Sequence, residues 1–403
     1  MAIVIGLNSG SSFDGIDTVA IEIEAAADGL PGRPRFLAGR SDDWPEPVAK
    51  DVLRAFENKL SIFELCRLNY VAGAVYAECA RKLMREMSLK PGEVEAVGYD
   101  GQTIYQEPAD PARMADFASD EDLIGRWLGG PYPCGLQIGE PAIVATACDT
   151  VTVTQFRPSD HALGGSGAPL MQYLDFVAFR DIGPVLTLNI GGIANCHLAD
   201  ADRSKMMAFD TGPGNVMLDH TARALLKKRY DANGEVAAKG KVNPRLLGEL
   251  LEHPFFHRKP PRSAWRLDFG STYADKFLQK YSSLSAEDLL ATFTEFTALA
   301  IARSIKEHVK LLDQVSVLIA SGGGVRNGFL MRRLAANLPS SLRLAPSDEF
   351  GIPAPYKEAI KFATLAHATV NRFANNIPAA CGASRFTVMG RTVLPPRLAK
   401  ING

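Results

Sequence analysis

Two separated stretches built on one plan constrain this chain more than any other feature. Near the N-terminus, "GLNSGSSFDGID" (6–17) joins the apolar pieces "AIVI" and "TVAIEIE". Far downstream, "PVLTLNIGGIANCHLAD" (184–200) repeats the plan: an apolar strand, a Gly-Gly turn ending in Asn195, and a second strand-like piece. β-branched, alternating segments around a turn-forming linker read as strand, turn, strand. The chain is therefore expected to consist of two related halves, each opening on a hairpin whose turn is rich in glycine and small polar residues.

Elsewhere the apolar period lengthens to 3.6. Ser61 and Glu64 form a capping box, after which Leu65, Leu68, Val71, Val75, Cys79 and Leu83 fall on one helical stripe. Ser285 and Asp288 repeat the start signal ahead of Leu290, Phe293, Ile301, Ile305 and Leu312, and a third helix is expected after Pro355 with Ala359, Phe362, Ala363, Ala366 and Val370 on its apolar face. Strands alternating with such helices argue for an α/β protein with helices covering a mixed sheet. Three further strands end in polar or glycine-rich clusters: "VEAVGYDGQT" (94–103), "VTVTQFRPSDHALGGSGAPL" (151–170) and "VSVLIA" (315–320), which runs into "SGGGVRNGFLMRRLAANL". Ligands of α/β folds gather where strands end.

Composition narrows the ligand. The chain has 403 residues, enough for two domains, and 44 basic residues balance 45 acidic ones. No global field favours nucleic acid or an anionic membrane, so neither is an expected partner. The six cysteines are scattered without metal-ligand spacing, which fits reduced thiols and a cytoplasmic setting, and no apolar run approaches the ~20 residues of a membrane span. A glycine-rich turn lets backbone N–H groups converge on an anion, and small hydroxyls add donors. A P-loop, a nucleophile elbow, Rossmann spacing and protein-kinase signatures are all absent. What remains is an ATP site made from two hairpin turns and a glycine loop on the adenosine side.

The ordered stretches "GLNSGSSFDGID", "GYDGQT", "LQIGEPAIVA", "FRPSDHALGGSGAPL", "NIGGIAN", "FDTGPGN", "SGGGVRNGFLM" and "DEFGIP" resemble those of the anhydro-N-acetylmuramic acid kinases over about residues 3–370. The resemblance implies two actin-like (ribonuclease H-like) domains, each with a mixed sheet, that close over ATP and a sugar bound in the cleft between them. The first would span residues 1–145 plus about 366–403, the second 146–365. A homodimer is common in the family.

On the ATP side the resemblance assigns the first phosphate hairpin to Ser9, Gly10, Ser11, Ser12, Phe13, Asp14, Gly15, Ile16 and Asp17, with the hydroxyls of Ser9, Ser11 and Ser12 donating to phosphate oxygens. It assigns the second hairpin to Asn189, Gly191, Gly192 and Asn195, and the adenosine loop to Gly322, Gly323, Gly324 and Asn327. Asp210, Gly212, Gly214 and Asn215 close the second-domain side. Aspartates do not favour bare phosphates, so Asp14, Asp17 and Asp210 are the candidates for the Mg²⁺ shell.

The family's reaction opens a 1,6-anhydro bridge and phosphorylates the freed O6, consuming water and ATP, which serves peptidoglycan recycling. It needs a carboxylate beside the sugar to take a proton from water. Asp160 matches the family's catalytic aspartate, Arg157 its arginine three residues earlier, and Glu295 its sugar-cleft glutamate, while Asp100, Gln102 and Thr103 of "GYDGQT" fall on the substrate side. Helix capping is the plainer reading of Asp160, and solvent exposure that of Glu295.

The chain also departs from the family pattern, which has Met at Asn8, Thr at Ser11, His at Asp100, Asp at Gln155, and small residues where Ala264 and Trp265 stand. Asp100 is expected to repel a substrate carboxylate such as the lactyl acid of the muramic sugar, which makes levoglucosan an alternative substrate. Other readings are a catalytically silent ATP- or sugar-binding member and a chaperone-like ATPase; the retained Asp160 and the "FRPSDHALGGSGAPL" segment argue against them.

Overall fold

A computed structural model describes residues 1–107, 123–128 and 133–400, apart from Ser11, Ser12, Asp14, Pro261 and Trp265. The chain divides into two compact units, Met1–Ala178 with Tyr356–Gly403, and Phe179–Pro355. The boundary expected after residue 145 lies after Ala178 instead. Its physical cause is a three-residue strand, Thr152–Thr154, which hydrogen-bonds into the first sheet and carries the segment behind it into the first unit.

In the first unit, β1 (Ala2–Asn8), β2 (Ile16–Ile23), β3 (Arg35–Asp42), β4 (Val94–Gly98) and β7 (Thr152–Thr154) form one sheet, while β5 (Gln102–Gln106) and β6 (Gly135–Ile138) pair separately. The sheet order is β3-β2-β1-β4-β7, with the strand Arg391–Val393 beyond β7. β1–β2 and β2–β3 are antiparallel; β1–β4 and β4–β7 are parallel. In the second unit, β8 (Val185–Ile190), β9 (Ile193–Ala199), β10 (Met207–Pro213), β11 (Val317–Ser321) and β12 (Arg343–Pro346) lie in the order β10-β9-β8-β11-β12. Here too two antiparallel pairs are followed by two parallel ones. The halves thus share one mixed-sheet topology, each beginning with the hairpin that the glycine turns mark.

Helices cover both faces of the first sheet. The helix Ile62–Glu86 starts at Ser61 with the expected reciprocal capping box and lays Leu68, Ala72, Tyr76 and Cys79 against Ile5 and Leu7 of β1. On the other face the helix Lys357–Val370 lies so close to the sheet that only glycine fits beneath it. A Cβ on Gly6 would come within 2.1 Å of the Ala359 carbonyl oxygen, and one on Gly98 within 2.4 Å of that of Phe362.

The helix Ala286–His308 corrects the single apolar stripe expected of it. It is buried on nearly all sides because it separates two cores. Ala298, Ile301 and Ile305 pack with the second sheet and Leu330 and Leu334, while Leu289, Phe293 and Phe296 pack into an aromatic cluster with Phe255, Phe269 and Phe277. Leu312, expected on this helix, falls in the separate turn that follows.

Gly6→Ala should lower the unfolding free energy by about 2 kcal/mol, because neither the sheet nor the helix backbone can retreat from the added carbon. Gly248→Ala, in the helix Pro244–Leu251 with open space around its α-carbon, should instead raise it by about 0.5–1 kcal/mol. Denaturant midpoints of the two variants against wild type check both signs.

Candidate active site

In the second unit three glycine segments meet at one hairpin tip. The β8–β9 turn, Gly191–Gly192, is gripped by the residues after β10. Gly214 N and Val216 N donate to Gly192 O, while Asn215 donates from its backbone N–H to Gly191 O and from Nδ2 to both Ile190 O and Gly191 O. A Cβ on Gly214 would lie 2.2 Å from Gly191 O. From the other side, β11 delivers Gly322, held at φ +84°, whose Cβ would meet Asn189 Oδ1 at 2.5 Å, and Gly324, whose Cβ would meet Ile190 Cγ2 at 2.3 Å. The sequence assigned these segments to one site through resemblance; the structure brings them into contact.

Strand register adds a feature no single segment displays. Asp210 pairs with Asn195, Asn195 with Asn189, and Asn189 with Ser321, so four polar residues cross the sheet in a row. Directly paired residues share a face. Ser321 Oγ donates to Leu188 O and Asp210 Oδ2 accepts from Ala264 N, whereas the amides of Asn189 and Asn195 have no hydrogen-bond partner among the described residues. Desolvation pushes the Asp210 carboxyl up to about 6, against the opposing bond from Ala264. Gly212 (φ +134°) lies beside Phe256 and Ala300, and Asn327 caps the following helix, its Oδ1 accepting from Leu330 N.

The first hairpin is held by side chains. Ser9, expected to donate to phosphate, donates instead to Gln102 Oε1 (2.6 Å) and accepts from Trp44 Nε1 (3.0 Å). Gln102, expected on the substrate side, is thereby buried beneath the hairpin, and Thr103 beside it is half-buried on β5. Phe13 (φ +53°) donates its N–H to Gly10 O and packs on Trp44; Gly15 faces the Asp42 carbonyl, and the Ile16 side chain belongs to the core. Asp17, opposite Asn8, accepts from Ser41 Oγ at 2.5 Å. Ser11, Ser12 and Asp14 lie outside the described residues, as does Trp265.

Asp160 and Asp100 lie close together in the first unit. After β7 the chain turns sharply at Gln155 (φ +51°) into the short helix Arg157–His161. Asp100 accepts from Phe156 N (3.3 Å) and pairs with Arg157 Nε (2.6 Å), while Arg157 also donates to Gly167 O. Its charge is therefore met inside the protein, which corrects the expectation that it repels a ligand carboxylate. Asp160, 1% exposed, accepts from Gly167 N (2.8 Å), Asn376 Nδ2 (3.4 Å) and the Cys381 thiol (2.9 Å). Burial, joined by the nearby Asp160 carboxylate, pushes that thiol up, which keeps it a donor. Asp160 accepts on its side chain from a loop rather than capping a helix. Neither Asn376 nor Cys381 could be tied to it from the sequence, since both lie more than two hundred positions away.

Glu295 is buried rather than solvent-facing. Its carboxylate takes Arg333 Nε at 2.5 Å and Asn337 Nδ2 at 3.1 Å, clamping its helix to Gly328–Asn337. Burial opposes the charge, but Arg333 and Asn337 outweigh it and hold the carboxyl below the ordinary glutamate range. Among the described residues no group of three or more His, Cys, Asp or Glu is arranged to hold a metal, and no helix is long and apolar enough to cross a membrane.

Two mixed sheets of one strand order, each flanked by helices, make this an α/β protein of duplicated topology. The family model for anhydro-N-acetylmuramic acid kinase matches residues 2–129 and 123–395. The anhydro-N-acetylmuramic acid kinase of Caldanaerobacter subterraneus subsp. tengcongensis is 36% identical over 97% of this chain and 97% of its own. That of Francisella tularensis subsp. novicida is 34% identical over 96% and 97%. The chain belongs to the anhydro-N-acetylmuramic acid kinase family and is a phosphotransferase. A solved activator of 2-hydroxyisocaproyl-CoA dehydratase from Clostridium difficile aligns over 92% of this chain and 96% of its own at 11% identity and a TM-score of 0.43; the assignment rests on the sequence relatives instead.

A depressed carboxyl contributes stability above its unfolded pKa and loses it as pH falls through the folded one. Glu295→Gln should therefore be less stable than wild type by about 1–2 kcal/mol at pH 7, a value discounted for the partly exposed Arg333. The gap should close below about pH 4.5, the ordinary glutamate value. Unfolding curves of the two proteins across that range check the sign.

Proposed function

We propose that this chain uses ATP and water to convert 1,6-anhydro-N-acetylmuramic acid into N-acetylmuramic acid 6-phosphate. Asp160 carries the reading: a buried carboxylate held by three donors on a loop, at the border of a cavity, in a family whose members bear that kinase name. Asp160 takes a proton from water as the water oxygen bonds to the anomeric carbon. The C1–O6 bond breaks, and O6 attacks the γ-phosphorus as ADP leaves.

In the second unit, the clasped tip at Gly191–Gly192 with the free amides of Asn189 and Asn195 suits the phosphates, and the open flank of Gly323 leaves room for the nucleoside side. Asn215, Gly214 and Gly322 build that surface rather than touch the nucleotide, and Asn327 fixes the helix that follows. Mg²⁺, which needs only one or two carboxylates beside phosphate oxygens and waters, would neutralise charge on the transferring group. Asp17 fits such a role, with Asp14 on the same hairpin; Asp210, pushed up to about 6 and bonded to Ala264, fits it less well. Arg157 and Asp100 shape the loop that carries Asp160, and Glu295 holds its helix pair.

With Asp100 neutralised by Arg157, charge repulsion no longer favours levoglucosan over the muramic sugar. ADP release with ATP and Mg²⁺ should depend on 1,6-anhydro-N-acetylmuramic acid and be weaker with levoglucosan; turnover on levoglucosan alone would overturn the substrate assignment. Asp160→Asn should cut kcat by about 10²–10⁴-fold while ATP still binds. Wild-type turnover in that variant would remove Asp160 from the chemistry.

A further inference from the structure

Asp160 borders a small cavity in the first unit, of about the size of one water and partly open to solvent, which is also lined by Gln172, Asn375, Asn376 and Cys381 among apolar neighbours such as Leu170 and Met389. Most of these polar groups already satisfy one another. Asn375 donates to Leu365 O and accepts from Met389 N; Asn376 donates to Asp160 and to Arg385 O and accepts from Thr387 N; the Cys381 thiol faces Asp160. Gln172 differs. It is 1% exposed, and its Nε2 has no hydrogen-bond partner among the described residues.

A buried amide without a partner costs free energy, and such groups call for a ligand or an ordered water. The cavity lining thus includes both a carboxylate that accepts three hydrogen bonds and has a lone pair to spare, and an unused donor. A species that both donates and accepts fits that pair, and water is the smallest.

We propose that Gln172 positions the attacking water, donating from Nε2 to its oxygen while Asp160 receives its proton. The inference rests on the function proposed above. One lone pair of the water is engaged by Gln172, one hydrogen by Asp160, and the second lone pair points at the anomeric carbon. As the O–C1 bond forms, the proton passes to Asp160, the C1–O6 pair moves onto O6 and then to phosphorus, and Asp160 later returns its proton to solvent. Gln172 never bonds to the sugar or to ATP; it acts through the water.

The test is steady-state kinetics of Gln172→Met, which keeps side-chain length and deletes the amide, and of Gln172→Glu, which keeps polarity but, ionised, cannot donate. Thermal melting is measured in parallel. Both variants should lower kcat on 1,6-anhydro-N-acetylmuramic acid by about 10–100-fold while KM for sugar and ATP stays near wild type. The methionine variant should melt no lower than wild type, since it removes an unsatisfied polar group. Unchanged kcat overturns the inference. A raised sugar KM with intact kcat also overturns it, because Gln172 would then contact the sugar, and a lowered melting temperature with every kinetic constant shifted would mark a structural role. Wild-type enzyme inactive on the muramic sugar would instead defeat the function reading, and this inference with it.

Discussion

The close approach of backbone to backbone around Ile190–Gly192 is the constraint on which the second unit depends. Two segments from distant parts of the chain reach one hairpin tip through glycines: one brings Gly214 against Gly191 O, the other Gly322 against Asn189 and Ile190 O and Gly324 against the Ile190 side chain. A methyl group at any of them would collide at 2.2–2.5 Å, with a backbone oxygen at Gly214 and with the Asn189 and Ile190 side chains at Gly322 and Gly324. The tip carbonyls are in turn taken by N–H donors of residues 214–216. Their negative ends are paired before any phosphate arrives, a precondition for a turn that is to attract an anion.

The first unit repeats the strand order but stabilises its hairpin differently. The tip is tied down by side chains, with Ser9 between Trp44 and Gln102 and Phe13 on the same indole. In both units a polar pair stands at the base of the hairpin, Asn8 with Asp17 and Asn189 with Asn195. The first pair is charged and bonded to Ser41, whereas the side chains of the second are neutral and have no hydrogen-bond partner among the described residues. One topology thus yields two chemically distinct turns, one acidic and one neutral.

What the sequence made legible was local. The two hairpins, the capping box at Ser61 and the helix after Pro355 each announce themselves within a dozen residues through period, cap or turn. Long-range pairing was not legible. Glu295 reads as a surface residue because its partners, Arg333 and Asn337, sit on another helix; Asp100 reads as a naked charge because Arg157 approaches from beyond β7. The two-sided burial of Ala286–His308 hides in the same way, since one amphipathic stripe is visible in sequence and a second core pressing on the opposite face is not. The domain boundary failed on a strand of three residues, too short for an alternating pattern to register.

The segment "GGSGAPL" shows how one composition can be read for two reasons. In the sequence its glycines suggest room for a substrate to approach. In the structure they make room for the protein's own side chains: a Cβ on Gly165 would lie 2.2 Å from Asp160 Oδ2, and one on Gly167 2.1 Å from His161 Nε2. Gly167, at φ +65°, also turns its N–H onto the Asp160 carboxylate at 2.8 Å. The loop is a mould for Asp160, and it leaves that carboxylate little freedom to move.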